Sequence, residues 1–312
     1  MFNERYAFFD VRGVDWQKQK EIYRPRVSDD ISSERLFEIM AQMLSPLNDG
    51  HVELKAKNLQ KNFNSESKPR FWQEFDEEQI RELFSVTKNN LKEHGFSDLR
   101  PTQTKILQYA KSDDLAYLRI IELEGQKWKR FRSALADLEK DFEGLKGYII
   151  DLRECPGGDD EVLLEILGRF TDQKRIAFHR KEKLGFNRFS ELETWYVEPK
   201  GAAQFTGPVV LLTHDAVFSG GDVFALVASE LPNVTIAGDR TNGTFSYQYH
   251  GKLPNGWKYR LSNQVYYSKD MMCYESTGVP VDIEVINTRA DLEARVDAVL
   301  IKALIHLDSK VH

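Results

Sequence analysis

Three segments of this sequence place side chains where they could do chemistry. The first is Asp151-Leu152-Arg153-Glu154-Cys155-Pro156-Gly157-Gly158, at the end of a β-branched run. A glycine pair there lets backbone N–H groups approach a ligand without Cβ interference, or simply turns a strand into a helix. The second runs from Thr213 to Asp222 and carries Ser219-Gly220-Gly221 into the apolar stretch VFALVASEL. A serine at the first turn of a helix sits among free N–H groups and the positive dipole end, which favour a developing anion; serine also caps helices well. Val217 stands where a G-x-S-x-G elbow would need glycine, so that hydrolase motif is excluded. The third segment is Asn48-Asp49-Gly50-His51-Val52-Glu53-Leu54, where a histidine follows a tight turn and could shuttle a proton near neutral pH. His214, shortly before Ser219, is a rival base.

Other chemistries lack their signatures. The sequence has no G-x-G-x-x-G after a strand, no G-x-x-x-x-G-K-[ST] and no H-E-x-x-H, so no cofactor is expected. Cys155 and Cys273 are the only cysteines, too few for a disulfide framework or a four-cysteine zinc site; they are either one bridge or two free thiols. With 43 Lys+Arg against 49 Asp+Glu, the formal charge of −6 excludes a dedicated nucleic-acid binder. No apolar run approaches the ~20 residues needed to span a bilayer. The start, MFNERYAFFDVRGVDW, is charged and aromatic and does not read as a signal peptide.

These segments need elements to hold them. Leu36, Ile39, Met40 and Met43 recur at helical spacing after Ser32-Ser33, and that helix must stop before Ser45-Pro46. Residues 57–75 read as a polar loop, and a second helix spans 76–94 up to Gly95. From about residue 113 strands and helices alternate: strands at 117–123, 148–152, 209–213 and 235–237, and helices at 129–142, 161–170 and 219–230. A hairpin turning at Pro254-Asn255-Gly256 and a terminal helix over 290–307 follow. The pattern predicts two parts, a helical N-terminal subdomain over 1–112 and an α/β core over 113–312 with mostly parallel strands.

Taken together, the ordered segments resemble the S41 serine peptidases, which include tail-specific proteases and the tricorn core protease. GYIIDLRECPGG is similar to that family's strand and D-L-R-x-N-x-G-G, and Gly238-Asp239-Arg240-Thr241-Asn242-Gly243 to its G-[DE]-x-T-x-G. YESTGVPVDIEV is similar to its E-x-x-G-V-x-P-D-I, with Pro280 and Val281 in swapped order. The resemblance implies an α/β fold with a ClpP/crotonase-like catalytic core; no PDZ segment is evident between His51 and Asp113. In the family's Ser–Lys branch a lysine occupies the place held here by Thr244, so the resemblance points to the tricorn-like Ser/His/Glu branch.

In that branch Ser219 would be the nucleophile, His51 the general base and Glu275 the carboxylate that orients it. The oxyanion would meet the N–H of Gly220 and of Gly157 or Gly158. Cys155 replaces the usual Asn, Asp222 a common Glu, and Gly50 an extra serine of the tricorn enzyme. The implied substrate is a peptide or unfolded protein, and the implied location is outside the cytoplasm. Two other readings fit an S41-like core: a carrier that holds a peptide or hydrophobic ligand without turnover, and a crotonase-like acyl-CoA enzyme.

Overall fold

A computed structural model of the chain describes residues 1–124 and 128–311. Its centre is a seven-stranded sheet in the spatial order Ile283–Glu284, Val234–Gly238, Val209–Thr213, Gly147–Asp151, Leu115–Ile120, Leu107–Lys111, Arg100–Pro101. The first five are parallel, and the last two join antiparallel. Every residue of Val209–Thr213 and Gly147–Asp151 is buried, as parallel strands covered on both faces must be. Alternation divides the side chains between two cores. Val209 and Leu211 pack with Phe131, Val162 and Phe224 from three helices on one face. Val210 and Leu212 pack with Leu91, Leu300 and Leu304 on the other.

The expected helices form close to their predicted bounds: Ser33–Leu44, Glu77–Glu93, Trp128–Asp141, Asp160–Leu167 and Gly220–Ser229. The terminal helix is divided into Arg289–Glu293 and Ala298–Val311. Arg295 takes a positive φ of 60° at the break, and the Asp297 carboxylate then accepts the N–H of Leu300. Asp297 also binds Arg153, which chelates Asp151, so the D-L-R run ties the end of a central strand to the start of the last helix.

The front of the chain is less purely helical than expected. Within 57–75, taken as a polar loop, lie the strand Lys61–Asn64 and the helix Arg70–Glu74. The strand is an edge strand with alternate residues exposed, so its polar composition gave no apolar run to find. It pairs with Glu53–Ala56, which pairs antiparallel with Lys258–Ser262 of the hairpin. The strands Arg100–Pro101 and Leu107–Lys111 precede residue 113 yet belong to the central sheet. The division at 112/113 is therefore not a seam in the hydrogen bonding. A third sheet, built on the long strand Arg175–Gly185 with Gln264–Tyr267, Arg188–Phe189 and Glu193–Val197, completes the architecture. The short aromatic front segment (Tyr6, Phe8, Val14) packs with Trp257, Tyr259 and Leu261 under the hairpin sheet.

Candidate active site

Ser219 lies between the central strand Val209–Thr213 and the helix Gly220–Ser229, with φ 59° and ψ −123°. A non-glycine residue held there is strained, and such strain persists only where neighbours over-determine it. Here the neighbours are the turn bond Gly221 N–H to Phe218 O at 2.9 Å and the bond Asn242 N–H to Val217 O at 2.8 Å. Gly220 opens the helix, so its N–H is one that the helix leaves unbonded. Against this turn lies the Gly157-Gly158 loop, fastened by Leu123 N–H to Gly157 O at 2.9 Å. Gly157 has φ +98°, and a Cβ on it would fall 2.6 Å from Gly220 N and 2.9 Å from Ser219 Cβ. A Cβ on Gly220 would in turn meet Gly158 N at 2.7 Å. The structure thus brings Ser219, Gly220, Gly157 and Gly158 into one contact.

Asp222 secures the turn from inside. Its fully buried carboxylate accepts the N–H of Ser219 at 3.0 Å, of Gly243 at 2.8 Å and of Thr244 at 3.0 Å. Burial pushes this carboxyl up to about 6, with its hydrogen bonds pulling the other way. Thr244, at the place of the dyad lysine, is part of this clamp. Asp222→Ala would strand buried N–H groups, each costing about 1–3 kcal/mol, so a loss of about 3 kcal/mol or more is expected. Urea unfolding checks it: a loss below about 1 kcal/mol would deny the clamp its weight.

His51 reaches this region from the front of the chain. Asn48 turns with φ 44°, and the Asp49 carboxylate accepts the His51 N–H at 2.8 Å. The strand Glu53–Ala56 then carries the segment along Lys258–Ser262. The imidazole is fully buried and meets the ring of Phe218, Ser219's neighbour, edge-on with centroids 4.8 Å apart. Gly50 is required by the same packing, since a Cβ there would stand 2.5 Å from a Phe218 ring carbon. Neither ring nitrogen of His51 has a hydrogen-bond partner among the described residues. The turns that carry His51 and Ser219 are therefore joined through Phe218, with no hydrogen bond from the imidazole to Ser219 or Glu275.

Glu275 is buried as expected of an orienting carboxylate, but its partners are others. Oε1 accepts from Arg12 at 2.6 Å, and Oε2 from the Phe245 N–H at 3.1 Å. Burial and the nearby Asp49 charge raise its pKa, while Arg12 lowers it. Arg12 was not among the predicted site residues. Its only sequence signal is a cation set in an aromatic segment, which does not reveal a partner more than 260 residues away. The Asp49 carboxylate also accepts from Ser262 Oγ at 3.1 Å, knitting the histidine turn to the hairpin.

His214, the rival base, is committed elsewhere. Its Nδ1 accepts the Ala216 N–H at 3.1 Å, and its ring stacks on Phe71 with centroids 4.0 Å apart. Burial lowers the His51 pKa from 6.5 to about 4 and that of His214 to about 3. A buried neutral histidine stabilises the fold above its unfolded pKa and loses that contribution as pH falls through the folded one. Replacing His51 by Gln should remove about 3 kcal/mol of acid sensitivity between pH 6.5 and 4. Asp160 and Asp222, raised to about 6, act in the opposite sense, so the measurement is the difference between variant and parent stability across that range. Parallel curves would refute it.

Both cysteines are free thiols, and burial pushes that of Cys155 up to about 12, which makes it inert. Among the described residues no group of three or more His, Cys, Asp or Glu side chains could hold a metal ion, and no helix is long and apolar enough to cross a membrane.

A strained serine at a helix start over an α/β sheet, backed by a glycine loop, is the arrangement that acyl-transfer chemistry requires. The family model of Peptidase family S41 matches residues 114–285, and that of the Tricorn protease C1 domain matches residues 1–45. The chain belongs to peptidase family S41. It is similar to a carboxy-terminal-processing protease of Bartonella bacilliformis, 24% identical over 59% of this chain and 41% of that one. It is also similar to the carboxy-terminal processing protease CtpA of Bacillus subtilis, 26% identical over 53% of this chain and 33% of that one. The matched segment thus spans less than half the length of these relatives. The crystal structure of a peptidase candidate from Parabacteroides merdae has a TM-score of 0.82 and 25% identity, covering 98% of this chain and 93% of that one. The expected α/β fold, similar to S41 protease folds, is the fold found, with a front end that mixes helices and strands.

Proposed function

We propose that this chain is a serine peptidase that hydrolyses peptide bonds through an acyl-enzyme on Ser219. The observation that carries the reading is the packing of the Gly157-Gly158 loop onto the strained Ser219-Gly220 turn, with His51 against the adjoining Phe218. Ser219 Oγ attacks the carbonyl carbon and its proton passes to His51. The oxyanion is held by the N–H of Gly220 and of Gly157 or Gly158. Collapse breaks the C–N bond, and the departing amine takes the proton from His51. Water, deprotonated by His51, then attacks the ester carbonyl, the C–Oγ bond breaks, and His51 returns the proton to Ser219 Oγ. Glu275 is the carboxylate for the imidazolium, and catalytic hydrogen bonds of this type tighten when substrate arrives. Peptides or unfolded protein tails are the proposed substrates, in keeping with the carboxy-terminal processing named for the relatives, and a location outside the cytoplasm is proposed on the same resemblance.

Two observations favour a second reading: neither ring nitrogen of His51 has a hydrogen-bond partner among the described residues, and Glu275 is held by Arg12, as in a binding protein that turns nothing over. A fluorophosphonate probe separates the two. A covalent adduct mapped to the Ser219 peptide, lost in His51→Ala, is the expected result. Absence of any adduct on folded protein, with a peptide retained uncut, would establish the carrier instead.

A further inference from the structure

We propose that Arg12 is a positioning residue of the active site, holding Glu275, the turn that carries His51 and the loop at 243–245 in one register. This rests on the serine-peptidase reading above. The Arg12 side chain is 6% exposed, those of Glu275 and Asp49 1% and 0%. One guanidinium arm donates to Asn48 O, in the histidine turn. The other donates to Glu275 Oε1 at 2.6 Å and reaches Gly243 O at 3.5 Å, and Nε stands 3.9 Å from Asp49 Oδ2. The planar fork suits this division, since its arms diverge in fixed directions that a lysine ammonium cannot reproduce. Gly243 and Thr244 are also fastened to Asp222, under the nucleophile turn. Arg12 therefore closes a circuit from the base's turn, through the carboxylate, to the loop that supports Ser219.

A purely structural ion pair would need none of these backbone contacts, and the charges around it add a second consequence. Apart from Arg12, Glu275 faces Asp49, Tyr6 and Cys273, none of them cationic, and His51 faces Asp49, Arg260, His250 and Arg12 itself. Arg12 is the cation that offsets two buried carboxylates at this site. Without it, the Glu275 carboxyl keeps its proton to higher pH and offers a neutral group to the imidazolium. Activity that needs the ionised carboxylate then rises only at higher pH.

The test is peptide hydrolysis by the full chain across pH, for Arg12→Gln and Arg12→Lys in the parent and Glu275→Gln backgrounds. Arg12→Gln should lower kcat about a hundredfold with KM within about twofold, and move the acidic limb of the pH profile upward. Arg12→Lys should recover about a tenth of the parent kcat, and each change should cost less than in the parent once Glu275 is already Gln. Should Arg12→Gln fail to fold, Arg12→Lys decides: a folded variant with unaltered kcat and pH profile overturns the proposal. Losses that multiply fully in the Glu275→Gln background also overturn it. A parent chain that neither cleaves peptides nor takes the fluorophosphonate label removes the peptidase reading itself, and the role of Arg12 with it.

Discussion

Replacing Ser219 by alanine is expected to lower kcat for peptide hydrolysis about ten-thousand-fold or more while the protein remains folded. The side chain contributes one oxygen, yet acylation cannot proceed without it, because neither His51 nor the glycine loop can form the ester. What survives in the proposed mechanism is the set of N–H groups at Gly220 and the Gly157-Gly158 loop, and that remnant sets the floor of the measured rate. The backbone at Ser219 is already in the left-handed half of φ space. Alanine carries the same Cβ, so the substitution adds no new strain. Turnover with a chromogenic peptide, alongside a urea unfolding curve, separates chemistry from folding. A variant that keeps a tenth of the activity would place the nucleophile elsewhere.

Gly157→Ala should lower kcat by about a hundred- to a thousandfold with its serine, histidine and glutamate all present, the scale of losing an oxyanion donor. The added methyl would fall on Gly220 N, Phe218 O and Ser219 Cβ, at 2.6, 2.8 and 2.9 Å, so the turn and the loop must part. Two of those atoms are backbone, which cannot swing aside as a long side chain can. Gly144→Ala is the matched control: its φ is +85° but a Cβ there has no neighbour within 4 Å. That variant should lose about 1 kcal/mol of stability and no activity. If Gly157→Ala turns over at the parent rate, the packing of the two loops has no bearing on catalysis.

Much of the core was legible because each buried strand announces itself. Val209–Thr213 is an unbroken apolar run, and its bounds in the structure are those predicted. The long strand Arg175–Gly185 was not predicted, because Arg175, His179, Arg180, Lys181 and Lys183 obscure its alternation. Lys61–Asn64 went unseen for a related reason, since an edge strand can be stable through pairing with Leu54 and its neighbours while offering little apolar surface. At the candidate site the segments were legible and the connections were not. His51, Ser219 and the glycines stood in recognisable runs, and the structure gathers their turns. That Glu275 would face Arg12 could not be read, because a salt bridge leaves no periodic trace in a sequence. His214 looked as eligible as His51 by residue type; the family resemblance favoured His51, and the bond to Ala216 and the stacking on Phe71 occupy the His214 ring elsewhere.

The pairing of Glu53–Ala56 with Lys258–Ser262 has a bearing on biosynthesis. Synthesis runs from the amino end, so His51 is made early, but the strand that backs its turn leaves the ribosome only after roughly two hundred further residues. Contacts so remote along the chain form late. A nascent polypeptide carrying both His51 and Ser219 would still lack the strand that backs the histidine turn, and the two turns can be gathered only once Lys258–Ser262 has been made.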